Sequence, residues 1–166
     1  MQYFVIDPCY LSQQLCLKHD EEYERNVWDT FVDKLENEGG KAAATYLSEQ
    51  MGFKIIDVCR TGYGDWENRM VSDTPDVDNL LDAYFYADAG MFCVAEKPNS
   101  EQVKALMGTE KRFFVMSGAE FESDQEPQVE FHYDPDWSTV DIRGTFQGKP
   151  YHLRSMNVEE ADRYLM

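Results

Sequence analysis

Lysine and arginine are missing from two long stretches of this chain, although the carboxylates continue through both. The stretches run from Met70 to Glu96 and from Phe113 to Ile142, in a chain of 166 residues with a formal charge of −17. A surface that serves only solubility usually intersperses both signs of charge. The separation of charge along the chain therefore favours a basic partner, and it disfavours direct contact with nucleic-acid phosphates or with an anionic membrane.

The second stretch provides the predicted binding surface, because its carboxylates have no lysine or arginine beside them in the sequence. These residues are Glu120, Glu122, Asp124, Glu126, Glu130, Asp134, Asp136 and Asp141. The first stretch provides a secondary acidic surface of Asp73, Asp76, Asp78, Asp82 and Asp88. Alternate residues of a strand lie roughly 6–7 Å apart, similar to the spacing of phosphates along a nucleic-acid strand. Acidity that only keeps the protein soluble is the alternative interpretation.

Membrane and secretion signals are also lacking. No stretch approaches the ~20 apolar residues that span a bilayer, and the first residues do not combine a basic segment with a long apolar one. The predicted location is the cytoplasm, or the host cytoplasm if a phage encodes the protein. In that reducing compartment the four cysteines are expected to be reduced and largely buried.

Metal and cofactor motifs are missing as well. Structural zinc sites usually use two close ligand pairs, whereas Cys16 and His19 make one imperfect pair and Cys59 and Cys93 are isolated. The first acidic stretch lacks the glycine and glutamate spacing of an EF-hand. The segment from Gly144 to Lys149 is too short for a phosphate-binding loop. The sequence therefore predicts neither a metal nor a cofactor.

The other two histidines, His132 and His152, lie in segments that read as strands. Two-histidine phosphoesterases carry a hydroxyl residue two places after each histidine, but Asp134 and Arg154 occupy these positions here. The pattern therefore does not predict that chemistry.

Composition predicts one folded domain spanning residues 1–166. Hydrophobic residues make up 43% of the chain and aromatic residues 14%, which argues against an acidic disordered chain. This length supports one well-packed core and is short for two.

Helices are predicted where apolar residues recur at helical spacing behind a capping residue. The predicted helices are Asp20–Glu38, Lys41–Met51, Ser100–Met107 with Asn99 as its N-cap, and Val158–Leu165 with Asn157 as its N-cap. The first two form an N-terminal helical pair, and the last is a C-terminal helix.

Strands are predicted in short segments rich in β-branched and aromatic residues and bounded by Gly, Asp or Pro. They are Tyr3–Ile6, Phe53–Arg60, Trp66–Val71, Ala83–Ala87, Met91–Ala95, Arg112–Met116, Val129–Tyr133, Thr139–Ile142 and Tyr151–Arg154. Because strands and helices do not alternate regularly, the predicted fold class is α+β with a curved, mostly antiparallel sheet, either a sandwich or a partial barrel.

Three short turn motifs carry a resemblance to a known group. They are Asp7-Pro8-Cys9-Tyr10 after the first strand, Gly64-Asp65 in the middle of the chain, and Asp88-Ala89-Gly90 before an apolar strand. Their order resembles that in a group of small, uncharacterised phage and bacterial proteins, over Tyr3 to Glu96 at most. The resemblance implies a phage or prokaryotic origin and a β-rich fold. That group has no assigned activity, so the resemblance implies no chemistry.

Cys9 is the candidate catalytic residue, because a turn at the end of a strand can present a thiol to a cleft. No base is identifiable beside it in the sequence. Neighbouring carboxylates raise the pKa of a thiol rather than lower it, which weakens this interpretation. Burial as an ordinary core thiol is the alternative.

The sequence supports three functional hypotheses. The first is a non-enzymatic inhibitor, encoded by a phage or mobile element, that blocks a basic nucleic-acid-handling or host-defence protein by offering it carboxylates. The second is a small enzyme or small-ligand binder with a pocket near Cys9, Tyr10 and Asp65. The third is a structural virion or assembly component. The expected partner is a basic or nucleic-acid-binding protein, and homo-oligomerisation stays open.

Overall fold

The computed structural model describes residues 1–60, 66–74, 81–82, 84–87, 91–107, 119–132 and 139–165. The helices in these ranges are α1 (Pro8–Lys18), α2 (Glu21–Asn37), α3 (Gly40–Met51), α4 (Ser100–Leu106) and α5 (Val158–Leu165). The strands are β1 (Gln2–Ile6), β2 (Ile55–Arg60), β3 (Trp66–Ser72), β4 (Leu81–Asp82), β5 (Tyr84–Ala87), β6 (Met91–Glu96), β7 (Ala119–Glu122), β8 (Gln128–His132), β9 (Thr139–Phe146) and β10 (Lys149–Asn157). The helices of the described ranges are all too short or too polar to cross a membrane.

The strands form two antiparallel sheets, and the α+β fold class is confirmed. Sheet A has the order β2-β6-β1-β7-β4, and sheet B has the order β5-β3-β10-β9-β8. The prediction left a sandwich and a partial barrel open. Two open sheets packed face to face correspond to the sandwich.

Strands β1, β2 and β6 of sheet A are buried on both faces, and alternate residues of each strand face different layers. On β1, Phe4 and Ile6 pack against α1, α2 and α3. Tyr3 and Val5 point the other way and pack against the inner side chains of sheet B. The molecule therefore has three layers, with the helices outside sheet A and sheet B on its far side.

Sheet B buries only its inner face along most of its length. Val140, Ile142 and Leu153 enter the core between the sheets, whereas Asp141, His152 and other polar residues alternate with them on the outer face. Helix α5 covers one part of that face through a small apolar cluster of Val71, Met156 and Ala161. The rest of the outer face is available for charged side chains.

The predicted helices α2, α3, α4 and α5 are confirmed within one or two residues at each end. Asp20 caps α2 by accepting a hydrogen bond from the Tyr23 amide at 2.7 Å. Asn99 and Gln102 form a capping box on α4. Helix α1 was not predicted, because Asp7-Pro8 was interpreted as a turn. That interpretation is wrong: Asp7 is an N-cap and Pro8 opens the helix. The N-terminal helical pair is therefore a group of three helices.

The strand predictions are also largely confirmed. The segment Ala83–Ala87 contains β5 but not β4, and Ala83 and Arg112–Met116 lie outside the described residues. Strand β7 was not predicted, because Ala119–Glu122 has only two apolar residues, which alternate with two glutamates. Gln147 and Gly148 form the hairpin turn between β9 and β10 with φ of 51° and 79°, as a type I′ turn requires.

Helix α3 meets sheet A at a point where only glycine fits. A Cβ atom on Gly40 would lie 2.3 Å from the carbonyl oxygen of Val58 and 2.6 Å from Asp57 Oδ1. This close approach places the buried Asp57 carboxylate at the positive N-terminal end of α3, where Lys41 pairs with it at 3.2 Å. The glycine therefore sets the distance between the helical layer and β2.

We expect Gly40→Ala to destabilise the protein by about 2–4 kcal/mol, because the new methyl group collides with backbone that cannot move aside. Urea unfolding of the purified protein measures this effect. Gly52→Ala is the control, since Gly52 has a left-handed φ of 79° but open space around it, and backbone strain alone costs roughly 1–2 kcal/mol. A loss for Gly40→Ala no larger than the loss for Gly52→Ala would contradict the close packing.

Candidate functional site

The carboxylates of β7 and the segment after it contact cations from distant parts of the chain. Lys97 Nζ lies 3.1 Å from Glu120 Oε2. Lys54 forms an ion pair with Glu126. Glu122 is exposed and accepts a hydrogen bond from the Gln2 amide at 3.3 Å. Two of the predicted binding carboxylates, Glu120 and Glu126, are thus partly neutralised by lysines that lie outside the second stretch.

Asp124 has a structural role at the hairpin turn between β9 and β10. Its two carboxylate oxygens accept hydrogen bonds from the amides of Gln147 and Gly148, each at 3.0 Å. Its own amide donates to the Thr145 carbonyl at 2.7 Å. Asp124 therefore ties the segment between the two sheets to the end of the hairpin.

We expect Asp124→Asn to destabilise the protein by about 1–2 kcal/mol, because a side-chain amide has one oxygen and cannot accept both turn hydrogen bonds. Thermal and urea unfolding measure the change. Glu122→Gln removes the same charge from an exposed position and should stay within about 0.5 kcal/mol of the wild type. Equal effects of the two substitutions would show that the turn contacts add nothing beyond charge.

Glu130 and Asp141 face each other across β8 and β9 on the outer face of sheet B. Glu130 is exposed, whereas Asp141 is held between two histidines. Asp134 and Asp136 lie outside the described residues, as do Asp76, Asp78 and Asp88 of the secondary surface. Asp82 lies in β4, where it is the register partner of Glu120 on β7.

A chain of alternating basic and acidic side chains crosses the outer face of sheet B. His132 Nε2 is 2.5 Å from Asp141 Oδ2, and His152 Nε2 is 2.9 Å from Asp141 Oδ1. The other ring nitrogen of His152 is 3.1 Å from Asp73 Oδ2, which also lies 3.0 Å from Arg154 Nε. We call these five residues, in the order Arg154, Asp73, His152, Asp141 and His132, the charge chain. It joins one member of the secondary acidic surface to one member of the predicted binding surface.

The charge chain changes the acidity of Asp141. Partial burial raises the pKa of the Asp141 carboxyl, but hydrogen bonds and positive charge from His152 and His132 outweigh it and hold the pKa below the ordinary value of 3.8. A depressed carboxyl pKa stabilises the fold above the unfolded-state pKa, and this contribution is lost as the pH falls through the folded-state value.

We expect Asp141→Asn to reduce stability by about 1–2 kcal/mol at pH 6, because it removes a charged acceptor from two hydrogen bonds. The difference from the wild type should shrink as the pH falls below about 4, where the wild-type carboxyl also becomes neutral. Urea unfolding between pH 2.5 and pH 6 measures it. Glu130→Gln, directly across the strand pair and exposed, should show little of this dependence. A constant difference across that range for Asp141→Asn would contradict the shift.

A cleft of about 370 Å³ lies beside the charge chain, between β9, β10 and α5. Its walls are formed by Thr139, Asp141, Arg154, Ser155, Met156 and Glu160. The half-exposed ring of His132 is oriented by Asp141 through its Nε2 atom. Chemically, an imidazole held by a carboxylate can donate or accept a proton. No group of three or more His, Cys, Asp or Glu within the described ranges is arranged to hold a metal ion.

Cys9 lies in the first turn of α1 rather than in a turn at a strand end. It is half-buried, and its amide donates to Asp7 Oδ1 at 2.8 Å. Tyr10 is also half-buried, and Asp65 lies outside the described residues. Of the three residues predicted to surround a pocket, the structure therefore describes only Cys9 and Tyr10, which are neighbours in α1.

The remaining thiols have raised pKa values. Burial raises the pKa of Cys59 to about 12, and burial with a smaller contribution from Asp7 raises that of Cys93 further. Desolvation and then Glu24 raise the pKa of Cys16. None of the four cysteines forms a disulfide. A raised pKa keeps a thiol protonated and a poor nucleophile at neutral pH.

Helix α2 carries a strip of carboxylates that lay outside the predicted surfaces. It buries Val27, Phe31 and Leu35, and the opposite side is exposed. At 100° per residue, four exposed carboxylates fall within roughly 60° of the helix circumference and span roughly 21 Å of its length. These residues are Glu22, Asp29, Asp33 and Glu36. We call them the α2 strip. The spacing of 7, 4 and 3 residues between them is visible in the sequence once the buried side is known.

The α2 strip has few internal partners. Glu36 pairs with Arg60, and Asp33 accepts a hydrogen bond from the Asn37 amide at 2.8 Å. Glu22 and Asp29 form no ion pair with any described residue. Helix geometry keeps the four groups in a fixed line, in contrast to the engaged carboxylates near β7.

No protein-family model, curated protein or solved structure matches the chain. The fold and the charged groups described above are therefore the basis for any inference about function.

Proposed function

We propose that this protein is an acidic, non-enzymatic binding protein that occupies the cation-rich surface of a nucleic-acid-handling or host-defence protein. The formal charge of −17 supports a basic partner, and the α2 strip supports a defined place for the contact. The observation on which the proposal depends is that Glu22 and Asp29 have no ion-pair partner among the described residues and lie on a rigid, exposed helix face. Such charges attract a basic partner at a distance and orient it during association.

The α2 strip is favoured over the second acidic stretch because fewer of its carboxylates already have a basic partner within the protein. A lysine or arginine of the partner would compete with Lys97 for Glu120 and with Lys54 for Glu126. It would compete with two histidines for Asp141. On the α2 strip only Glu36 has a cation partner, and that pair is exposed. Exposed pairs of this kind are weak and easily exchanged.

The dimensions of the α2 strip also suit a surface that normally binds a nucleic acid. Four carboxylates over roughly 21 Å give an average interval of roughly 7 Å, close to the distance between successive phosphates of one strand. A row of lysine and arginine side chains that binds a phosphate backbone could therefore meet carboxylates at a similar interval. Blockade of the nucleic-acid groove would follow from occupancy and would require no chemical step.

We expect the quadruple variant Glu22→Gln, Asp29→Asn, Asp33→Asn and Glu36→Gln to bind an octalysine peptide at least tenfold more weakly than the wild type, with a smaller dependence on salt. Calorimetry at 20 and 150 mM salt measures the affinity. Amide chemical-shift changes in the wild type should concentrate on α2. Nucleic-acid-binding proteins from a host lysate, captured on the wild type, should be released by double-stranded DNA.

The matched control changes Glu120, Glu122, Glu126 and Glu130 to Gln, which removes the same charge from β7, β8 and the segment between them. This variant should keep its affinity for the peptide within about threefold of the wild type. Equal losses of affinity in the two variants would show that only the net charge of the protein matters for binding. A loss of affinity confined to the control variant would show that the second acidic stretch, and not the α2 strip, forms the contact surface.

Small-ligand binding or catalysis is a second candidate function, favoured by one observation. The cleft of about 370 Å³ places Asp141 and Arg154 beside an imidazole that a carboxylate orients. This location differs from the pocket predicted near Cys9. Binding of a small ligand there would change the resonances of His132 and leave those of α2 unmoved.

A further inference from the structure

The connection between α1 and α2 carries two aromatic rings that lie against each other. His19 ends α1, and its amide donates to the Leu15 carbonyl at 2.9 Å. Asp20 is the N-cap of α2, which places Tyr23 in the first turn of that helix. The ring centroids of His19 and Tyr23 are 3.8 Å apart, with the two planes inclined by 33°. Both side chains are exposed. We call these two residues the aromatic pair.

Two contacts fix the ring of Tyr23 in its exposed position. His19 lies against the ring, and the Tyr23 hydroxyl donates a hydrogen bond to Gln50 Oε1 on α3 at 3.1 Å. Within the described ranges, Met1 and Tyr23 are the most exposed large hydrophobic side chains. A side chain that is already fixed loses little conformational freedom when a partner contacts it, and tyrosine is common among the residues that dominate binding energies. The aromatic pair is therefore a preformed apolar contact point that solvent reaches.

Carboxylates surround the aromatic pair. Exposed acidic residues lie between the two rings in the sequence, directly after them on α2, and beside Gln50 on α3; they are Asp20, Glu21, Glu22 and Glu49. The only lysine or arginine in the first two turns of α2 is Arg25. It follows Tyr23 by two residues and therefore lies about 160° away from it around the helix. The aromatic pair thus lies in a negative environment, and the nearest cation of its own helix points elsewhere.

A second tyrosine in the same layer of helices already has a cation beside its ring. Lys34 Nζ on α2 lies 5.8 Å from the ring centroid of Tyr46 on α3. Among the residues that the structure describes, no lysine or arginine takes the corresponding position at Tyr23. The face of an aromatic ring attracts a cation through its quadrupole, and nearby carboxylates add to this attraction. Tyr23 therefore offers an external cation the kind of position that Lys34 fills at Tyr46.

We infer that the aromatic pair is an arginine-binding point at one end of the α2 strip, where a guanidinium group of the basic partner stacks on the exposed rings. The inference rests on the proposed function, because it names a residue type that the partner contributes. A guanidinium group is planar and weakly hydrated, so it can stack on a ring while its N–H groups point at carboxylates. The ammonium group of lysine is compact and strongly hydrated, and it gains less from such a contact.

The position of the aromatic pair gives the contact a second role. Glu22 is the first member of the α2 strip and directly precedes Tyr23, so the stacking contact lies beside the N-terminal end of the strip. A line of carboxylates alone can accept a row of cations in several alignments. One stacking contact at a single end favours one alignment, because only an arginine placed at that end makes it.

Octaarginine and octalysine peptides test the inference, because they carry the same formal charge. We expect Tyr23→Leu to weaken the binding of octaarginine about threefold to fivefold, and that of octalysine less than about twofold, since leucine keeps apolar bulk but has no aromatic quadrupole. Calorimetry at 20 mM salt measures both affinities. Tyr23→Phe keeps the ring and should keep the affinity for octaarginine within about twofold of the wild type.

Tyr46→Leu is the matched control, because it makes the same substitution in the same layer of helices at a ring that already has Lys34 beside it. Its affinities for the two peptides should stay within about twofold of the wild type. NMR of the wild-type complex gives a direct readout. Nuclear Overhauser effects should connect the side-chain δ protons of octaarginine with the ring protons of Tyr23.

Two outcomes separate this inference from the proposed function. If Tyr23→Leu affects both peptides equally while the quadruple variant of the α2 strip binds both more weakly, the arginine-binding point is overturned and the α2 strip stays as the contact surface. If the quadruple variant binds both peptides as tightly as the wild type does, the contact surface itself is overturned, and the arginine-binding point with it.

Discussion

Burial of strands β1, β2 and β6 of sheet A on both faces is the constraint on which the rest of the structure depends. A sheet with two buried faces needs a layer on each side, and the helices and sheet B supply them. Each layer must approach closely, which explains the glycine at position 40 where α3 meets β2. Because a charge inside these two interfaces needs a partner, the buried Asp57 is paired with Lys41. The other carboxylates discussed above lie on the outer side of the helices, on the outer face of sheet B, and on β7 with the segment between the sheets.

The partners of the carboxylates differ among these three locations. On the outer face of sheet B, aspartates alternate with two histidines and an arginine that lie within 3.1 Å of them. Between the sheets, carboxylates meet lysines from distant segments or accept backbone hydrogen bonds. On α2, Glu22 and Asp29 are exposed and form no ion pair with a described residue.

The elements that local rules control were predictable from the sequence. The N-caps Asp20 and Asn99 and the Gln147-Gly148 turn each act within four residues. Helix α1 was missed because an aspartate before a proline can begin a helix as well as end a strand. The charged groups were predictable only in part, because Lys54 and Lys97 meet carboxylates that are 72 and 23 residues away. The charge chain needed the strand register, which places His132 and His152 on strands that flank Asp141.

The position of β1 has a consequence for how the chain is made. This strand occupies the middle of sheet A, between β6 and β7, so the partners of Tyr3 are Glu96 and Phe121. Ribosomes add about 5 to 20 residues each second, so the second partner strand follows β1 by roughly 6 to 24 seconds. Until β6 is made, an apolar strand with two unpaired edges is exposed to other chains, and one edge stays unpaired until β7 follows. The three helices that follow β1 are synthesised first and can cover one of its faces, which makes early helix formation a protection against aggregation during translation.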